Sequence, residues 1–198
     1  MPEALQSSFN NYIKVGNIRN PWDWYVSLWA YGCSNKGGFK SRVKRDSTHW
    51  RPWQKTYSDA ESKDNFNRWL NFVLVSKRKE IIEYRGMAKT DYCGLLTIRY
   101  LNLFSKNFST QTNTFSAHKD LIEYDKKENF MDIMLSNENL NLELEQLFEK
   151  FELNQGEQKQ ARTNTSKRRP YKYYYNRKSQ ELVKRMDELI VNKYKYSF

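Results

Sequence analysis

The chain has 198 residues and carries 34 lysines and arginines against 23 aspartates and glutamates, a net charge of +11. This length suits one domain with a sizeable core, and the charge predicts attraction to polyanions or to small phosphorylated ligands. Two cysteines without a metal-binding spacing and only two histidines argue against a zinc site, and no apolar run reaches membrane-spanning length.

The first predicted unit is a strand, a sharp turn and a helix. Alternation of apolar and polar residues over 12–18 favours a strand with one buried face. Asn20 suits the N-cap of a helix, Pro21 the first helical position and Asp23 the first turn. We expect this helix to extend to about Cys33.

A candidate anion site lies where this strand meets this helix. Arg19 ends the strand beside the N-terminal N–H groups of the helix, which attract anions. Ser27 lies one turn beyond Asp23 and adds a hydroxyl donor. Together these features predict a phosphate site; the alternative is a capped helix whose Arg19 only forms an ion pair.

The next part of the chain predicts two loops, two helices and a further loop. Residues 34–41 are rich in turn formers and lack the preceding buried strand of a P-loop, so we expect an ordinary loop. Residues 46–59 are rich in Trp, Pro, His and Lys without periodicity, which predicts an ordered functional loop. Apolar spacing predicts helices over 62–76 and 92–104, and the polar residues 105–116 predict a loop.

The last part of the chain predicts short extended segments and two more helices. Residues 121–124 and 131–135 read as extended, and the second runs into a helix with apolar residues at helical spacing (Leu140, Leu144, Leu147, Phe148 and Phe151). Residues 154–166 predict a mobile polar linker, and 177–192 a final helix. Strands alternating with helices favour an α/β layer architecture in a single domain over 1–198.

The segment from Arg19 to Ser27, Arg-Asn-Pro-Trp-Asp-Trp-Tyr-Val-Ser, resembles the 3′-phosphate-binding segment of PAPS-dependent sulfotransferases. That family's pattern is Arg-Asn-Pro-x-Asp-x-x-x-Ser after a hydrophobic strand. There the arginine and the serine hold the 3′-phosphate of the sulfuryl donor, so the resemblance assigns that role to Arg19 and Ser27. Three later segments resemble the same family in the expected order: 94–104, 132–140 and a C-terminal segment made of 164–171, 174–175 and 194–198. Ser136 departs from the pattern, because the family commonly has an arginine there.

A basic turn near the C-terminus extends the candidate site. Lys167, Arg168 and Arg169 directly follow the predicted linker, and their charges suit closure over a bound phosphate. By resemblance this region closes over the donor, so all three residues join the candidate cofactor-binding set. The alternative is a nucleic-acid-binding module over 159–195, where 12 basic residues face 3 acidic ones and tyrosines supply stacking groups.

The resemblance implies a sulfotransferase domain with a P-loop-like three-layer α/β architecture, helix-rich and N-terminally incomplete. The family's loop around the 5′-phosphosulfate has no match here. A fragment, a split enzyme completed by a separate chain and a degenerate protein would each explain this difference. We therefore expect this chain alone to bind 3′,5′-ADP weakly or not at all and to show no turnover.

The implied ligands are PAPS, its product 3′,5′-ADP and an acceptor hydroxyl on a carbohydrate or small metabolite, without a metal. The catalytic base is unassigned, although His49 in the Trp-rich loop is a better candidate than His118. The first residues lack the basic and apolar regions of a signal peptide, which predicts a cytoplasmic protein with no membrane partner.

Overall fold

The computed structural model describes residues 12–84, 87, 92–111, 114–153 and 168–198. These ranges are rich in helix and contain one small parallel sheet. The elements in chain order are β1 (Val15–Ile18), α1 (Pro21–Cys33), α2 (Gly38–Asp46), α3 (Trp50–Thr56), α4 (Lys63–Asn71) with a π-helical turn at Phe72–Ser76, α5 (Leu95–Phe104), α6 (Phe108–Gln111), α7 (His118–Glu128), β2 (Ile133–Ser136), α8 (Leu140–Lys150), α9 (Arg177–Met186) and α10 (Glu188–Lys193). None of the described helices combines the length and the apolar character that a membrane crossing requires.

The sheet consists of β1 and β2 in parallel, with Val15 opposite Ile133. The Ile133 N–H donates to the carbonyl of Lys14 at 3.1 Å, which sets the hydrogen-bond register of the pair. In this register the backbone groups of Val15 and Asn17 face away from β2. No further strand covers that edge within the described residues.

Helix α1 begins as the sequence predicts. The Asn20 side chain accepts hydrogen bonds from the N–H groups of Trp22 and Asp23 at 3.0 and 3.3 Å. This cap holds the start of α1 and leaves its buried face directed into an aromatic core. There the Trp29 ring packs edge-on against Phe66 and Tyr174 with centroid distances of 5.3 and 5.5 Å.

The C-terminal residues 168–198 pack around the start of α1. Tyr175 donates its hydroxyl to the Trp22 carbonyl at 2.9 Å, and the Trp22 indole donates to the Gln180 carbonyl at 3.1 Å. The Phe198 ring lies edge-on to Trp22 at 5.8 Å. The start of α1 and the C-terminal residues therefore meet where the sequence predicts the anion site.

A buried aspartate connects three helices. Asp187, between α9 and α10, accepts from the hydroxyl of Tyr25 at 2.6 Å and from the N–H and hydroxyl of Thr97 at 2.9 and 2.8 Å. A Cβ at Gly94 would collide with this carboxylate, so only glycine fits there without a shift. This contact joins α1, the start of α5 and the α9–α10 junction.

Several predicted elements are confirmed. The strand before Arg19, the helix from Pro21 and the strand near 133 form as expected. The predicted helix over 62–76 forms as α4 and its π-helical turn, with Ser62 as its N-cap. The predicted helix over 92–104 starts later, at Leu95.

Other predictions were wrong. The expected loops at 34–41 and 46–59 contain the start of α2 and all of α3, and Phe108–Gln111 forms a helical turn in the expected loop at 105–116. Residues 121–124, expected to be extended, lie inside α7. These helices carry few apolar residues: α2 buries only Phe39 and Val43, so periodicity gave a weak signal.

The predicted helix over 177–192 is divided at Asp187. Its apolar spacing continues across the break, with Val183, Met186 and Leu189 all buried. The carboxylate of Asp187 turns inward to Tyr25 and Thr97, and the backbone leaves helical geometry at that residue. Helix α8 forms as its spacing predicts, but none of its residues is buried.

Candidate functional site

The candidate site begins with three residues that the β1–α1 junction places on successive turns. Arg19 donates from Nε to Asp23 Oδ2 at 2.6 Å and from Nη1 to Ser27 Oγ at 3.2 Å. Its Nη2 also pairs with the Asp23 carboxylate. Residues four apart on a helix share a face, so Asp23 and Ser27 both lie within reach of Arg19.

Arg168 completes the group from the other end of the chain. Its Nη2 donates to Asp23 Oδ1 at 2.6 Å, across a sequence separation of 145 residues. Asp23 therefore holds one guanidinium on each carboxylate oxygen. We refer to Arg19, Asp23, Ser27 and Arg168 as the Asp23 cluster.

The Asp23 cluster is positively charged and partly open to solvent. Two guanidiniums face one carboxylate, which leaves a net charge of about +1. A guanidinium has about five N–H donors, more than the contacts with Asp23 and Ser27 use. The side chains of Arg19 and Arg168 are 28% and 15% exposed. The cluster can offer both charge and hydrogen-bond donors to an anion.

The helix terminus contributes less than the sequence predicts. The expectation was that free N–H groups at the start of α1 would attract an anion. Asn20 instead occupies the N–H groups of Trp22 and Asp23, and Pro21 has none. The attraction at this site therefore comes mainly from the two arginines.

Arg169, the third predicted basic residue, pairs away from the Asp23 cluster. The Arg169 guanidinium lies 3.4 Å from Glu61 Oε2 and its side chain is 59% exposed. The Arg169 backbone N–H donates to the Tyr174 hydroxyl at 3.0 Å, which helps to fix the turn that carries Arg168. Lys167 and the predicted linker at 154–166 lie outside the described residues.

Glu138 has a role at the site that sequence reasoning did not assign. Its Oε1 accepts from the backbone N–H of Asn20 at 2.7 Å, and its Oε2 accepts from the hydroxyls of Ser136 and Tyr196 at 3.0 and 3.2 Å. It thereby ties the end of β2 and the C-terminus to the residue after Arg19. The resemblance of residues 132–140 marks this segment in the sequence but does not predict the contact with Asn20.

Neither histidine contacts the Asp23 cluster within the described part of the chain. His49 is exposed and its Nδ1 lies 3.0 Å from the Thr48 hydroxyl. His118 Nδ1 lies 3.5 Å from Glu188 Oε2. Over the same residues no group of His, Cys, Asp and Glu has the arrangement of a metal site.

Comparisons of the chain with protein-family models, with curated proteins and with solved structures found no match.

Proposed function

We propose that the Asp23 cluster binds the 3′-phosphate of PAPS and that the chain supplies this part of the donor site of a sulfotransferase. Arg19 and Arg168 would clamp the phosphate from two sides, and the Ser27 hydroxyl would donate a further hydrogen bond. Asp23 would hold both guanidiniums in place, since it already orients them before ligand binding. Paired arginines suit a tetrahedral oxyanion because their planar forks can donate two bonds each.

One observation carries this proposal. Arg19, Ser27 and Arg168 are candidate residues from two segments separated by about 140 residues, and they meet around one carboxylate. The alternative is a capped helix in which Arg19 only forms an ion pair with Asp23. That alternative does not explain why a second arginine, Arg168, also pairs with Asp23. The 2.6 Å contact from Arg168 therefore favours an anion site.

The small sheet of β1 and β2 leads to a second part of the proposal, which concerns the architecture of the domain. We infer that the β1–β2 pair belongs to a P-loop-like three-layer arrangement. Two parallel strands alone bury little surface, and parallel sheets are normally covered and extended on both sides. The backbone groups of Val15 and Asn17 are turned away from β2 and can pair with a further strand. A separate chain that carries the 5′-phosphosulfate loop is a suitable source of that strand.

Within sulfuryl transfer, the described residues have a positioning role. A fixed 3′-phosphate holds the nucleotide end of the donor and so orients the sulfuryl group toward the acceptor. We assign no catalytic base, because neither His49 nor His118 contacts the cluster. The acceptor would be a hydroxyl on a carbohydrate or small metabolite.

A nucleic-acid-binding module over 159–195 is the second candidate. Its predicted stacking groups are the tyrosines that follow the basic turn, but Tyr174 and Tyr175 are 0% and 8% exposed. Tyr173, at 41% exposed, remains accessible. Burial of these two rings favours a small phosphorylated ligand over a stacked polynucleotide.

Titration of the purified chain with 3′,5′-ADP tests the proposal. We expect saturable binding that Ser27→Ala weakens about tenfold, since a hydrogen bond to a charged group contributes at least ~1.5 kcal/mol. Ser41→Ala, an exposed serine on α2, is the matched control and should bind like the wild type.

The same preparation distinguishes the second candidate. If the chain binds single-stranded DNA more tightly than 3′,5′-ADP, with an affinity that falls steeply with salt, many phosphates are contacted and the nucleic-acid function is favoured. Absence of saturable 3′,5′-ADP binding would also reject the proposed donor site.

A further inference from the structure

A second group of two arginines on one carboxylate lies beside α1. Arg42 from α2 and Arg99 from α5 both donate from Nη2 to Glu83 Oε1, at 3.0 and 3.1 Å. We refer to these three residues as the Glu83 cluster. One carboxylate neutralises only one of two guanidiniums, so this cluster also has a net charge of about +1.

The Glu83 cluster opens to solvent on one side. The Glu83 and Arg99 side chains are 17% and 25% exposed, whereas that of Arg42 is 42% exposed. Within the described part of the chain, the Arg42 Nε is buried without a hydrogen-bond partner. The less exposed pair of Glu83 and Arg99 thus holds Arg42 in place. The Arg42 guanidinium has further N–H donors that can bind a ligand.

The Glu83 cluster and the Asp23 cluster flank the same helix. The Arg99 guanidinium lies 5.3 Å from the ring centre of Trp24 and 5.3 Å from that of Phe39. Trp24 follows Asp23 directly and lies three residues before Ser27, on the same face of α1. The Trp24 ring thus connects α1, one residue after Asp23, to Arg99 of the Glu83 cluster.

The surrounding charge also favours an anion. Residues 36–55, which include α2 and all but the last residue of α3, contain seven lysines and arginines and one acidic residue. Lys44 and Arg45 on α2 are exposed. Such a concentration of one sign attracts oppositely charged ligands over several ångströms.

We propose that the Glu83 cluster binds a carboxylate or sulfate group, and that this group belongs to the acceptor. The acceptor would then be an acidic molecule, such as a uronic acid or an already sulfated sugar. Binding of the oxyanion stands on the cluster itself; only its assignment to the acceptor rests on the proposed function. The exposed Arg42 would form the direct contact, while Glu83 and Arg99 position it.

Titration of the 15N-labelled chain with D-glucuronate tests this inference, with its neutral methyl ester as the matched ligand. The readout is the indole signal of Trp24, assigned with Trp24→Phe. We expect saturable shifts with glucuronate but not with the ester, and about tenfold weaker binding in Arg42→Gln because a charged hydrogen bond is lost. Inorganic sulfate, titrated separately, shows whether the site accepts both oxyanions.

Two further variants separate charge from structure. Glu83→Gln keeps acceptors for both arginines but removes the negative charge, so glucuronate should bind more tightly. Arg45→Gln removes an exposed arginine that pairs with Asp46 on the same helix and should change binding little. Equal binding of acid and ester, no response to Arg42→Gln, or weaker binding in Glu83→Gln would overturn the inference.

The glucuronate titration and the 3′,5′-ADP titration test the two sites independently. If glucuronate binding follows these variants but 3′,5′-ADP does not bind, the oxyanion site stands and the proposed function fails. If 3′,5′-ADP binds as proposed while glucuronate does not, only the inference about the Glu83 cluster is rejected.

Discussion

Arg168→Ala and Arg19→Ala are each expected to weaken 3′,5′-ADP binding about 10- to 100-fold. Each removes a charged hydrogen-bond donor, and such bonds contribute ~1.5–3 kcal/mol. Arg168 lies outside α1 and joins the site through its 2.6 Å contact with Asp23, so we expect α1 to keep its fold without it. Isothermal titration at constant ionic strength measures the change.

Arg169→Ala is the control for this pair. It removes the same charge from the neighbouring residue, whose guanidinium pairs with Glu61 away from the cluster. We expect its affinity for 3′,5′-ADP to stay within about threefold of the wild type, because exposed ion pairs contribute little. If Arg169→Ala and Arg168→Ala lose the same affinity, net charge explains the binding and the specific role of Arg168 is wrong.

Asp187→Ala is expected to lower the free energy of unfolding by about 4 kcal/mol, since each buried donor left without an acceptor costs ~1–3 kcal/mol. The substitution leaves the buried hydroxyl of Tyr25 and the N–H and hydroxyl of Thr97 without their acceptor. It also opens a cavity where three helices meet. Urea unfolding followed by circular dichroism measures the loss.

Glu181→Ala removes an exposed carboxylate from α9 and serves as the control, with an expected change below about 0.5 kcal/mol. A loss below about 1 kcal/mol in Asp187→Ala would show that this junction does not hold the helices together.

The same aspartate gives stability a distinctive pH dependence. Burial raises the pKa of Asp187 from its ordinary value of 3.8 to about 6, against the opposing hydrogen bonds from Tyr25 and Thr97. Between these values the folded chain binds more protons than the unfolded chain, so the contribution of Asp187 to stability falls as pH rises from about 4 to about 6. Asp187→Asn lacks this titration.

The free energy of unfolding of the wild type minus that of Asp187→Asn should therefore fall by about 3 kcal/mol over this range. Subtraction removes the titrations that both proteins share. A difference that rises with pH would show that the carboxylate is stabilised in its charged form.

The sequence predicts the local part of the site well. Asn20 and Pro21 mark the helix start through short-range capping, and that signal does not depend on the rest of the fold. The four-residue spacing of Arg19 and Asp23 also permits their ion pair. The same capping nevertheless occupies the N–H groups that the sequence suggested were free, because one side chain bonds two donors.

The contacts between residues that lie far apart in the sequence cannot be predicted from local sequence patterns. Nothing in the periodicity near Arg168 indicates that it reaches Asp23 while Arg169 turns to Glu61. That distinction depends on the Tyr174 hydroxyl, which accepts from the Arg169 N–H and donates to the Ala60 carbonyl. The Glu83 cluster was missed for a similar reason, since its residues come from a 3₁₀ turn and two separate helices.

The break at Asp187 shows a further limit of pattern reading. Apolar spacing continues through residues 177–192, and a polar residue within it reads as a point on the solvent face. Here that residue is 0% exposed, because Tyr25 and Thr97 supply enough hydrogen bonds to hold the carboxylate inside. Only the position of distant donors decides between these outcomes.

The most direct test of the central claim compares the affinity of the wild-type chain for 3′,5′-ADP and for 5′-AMP, which differ only in the 3′-phosphate. We predict that 3′,5′-ADP binds at least about tenfold more tightly, and that Arg168→Ala removes most of this difference. Equal affinities for the two nucleotides, or a preference that persists in Arg168→Ala, would contradict a 3′-phosphate site at the Asp23 cluster.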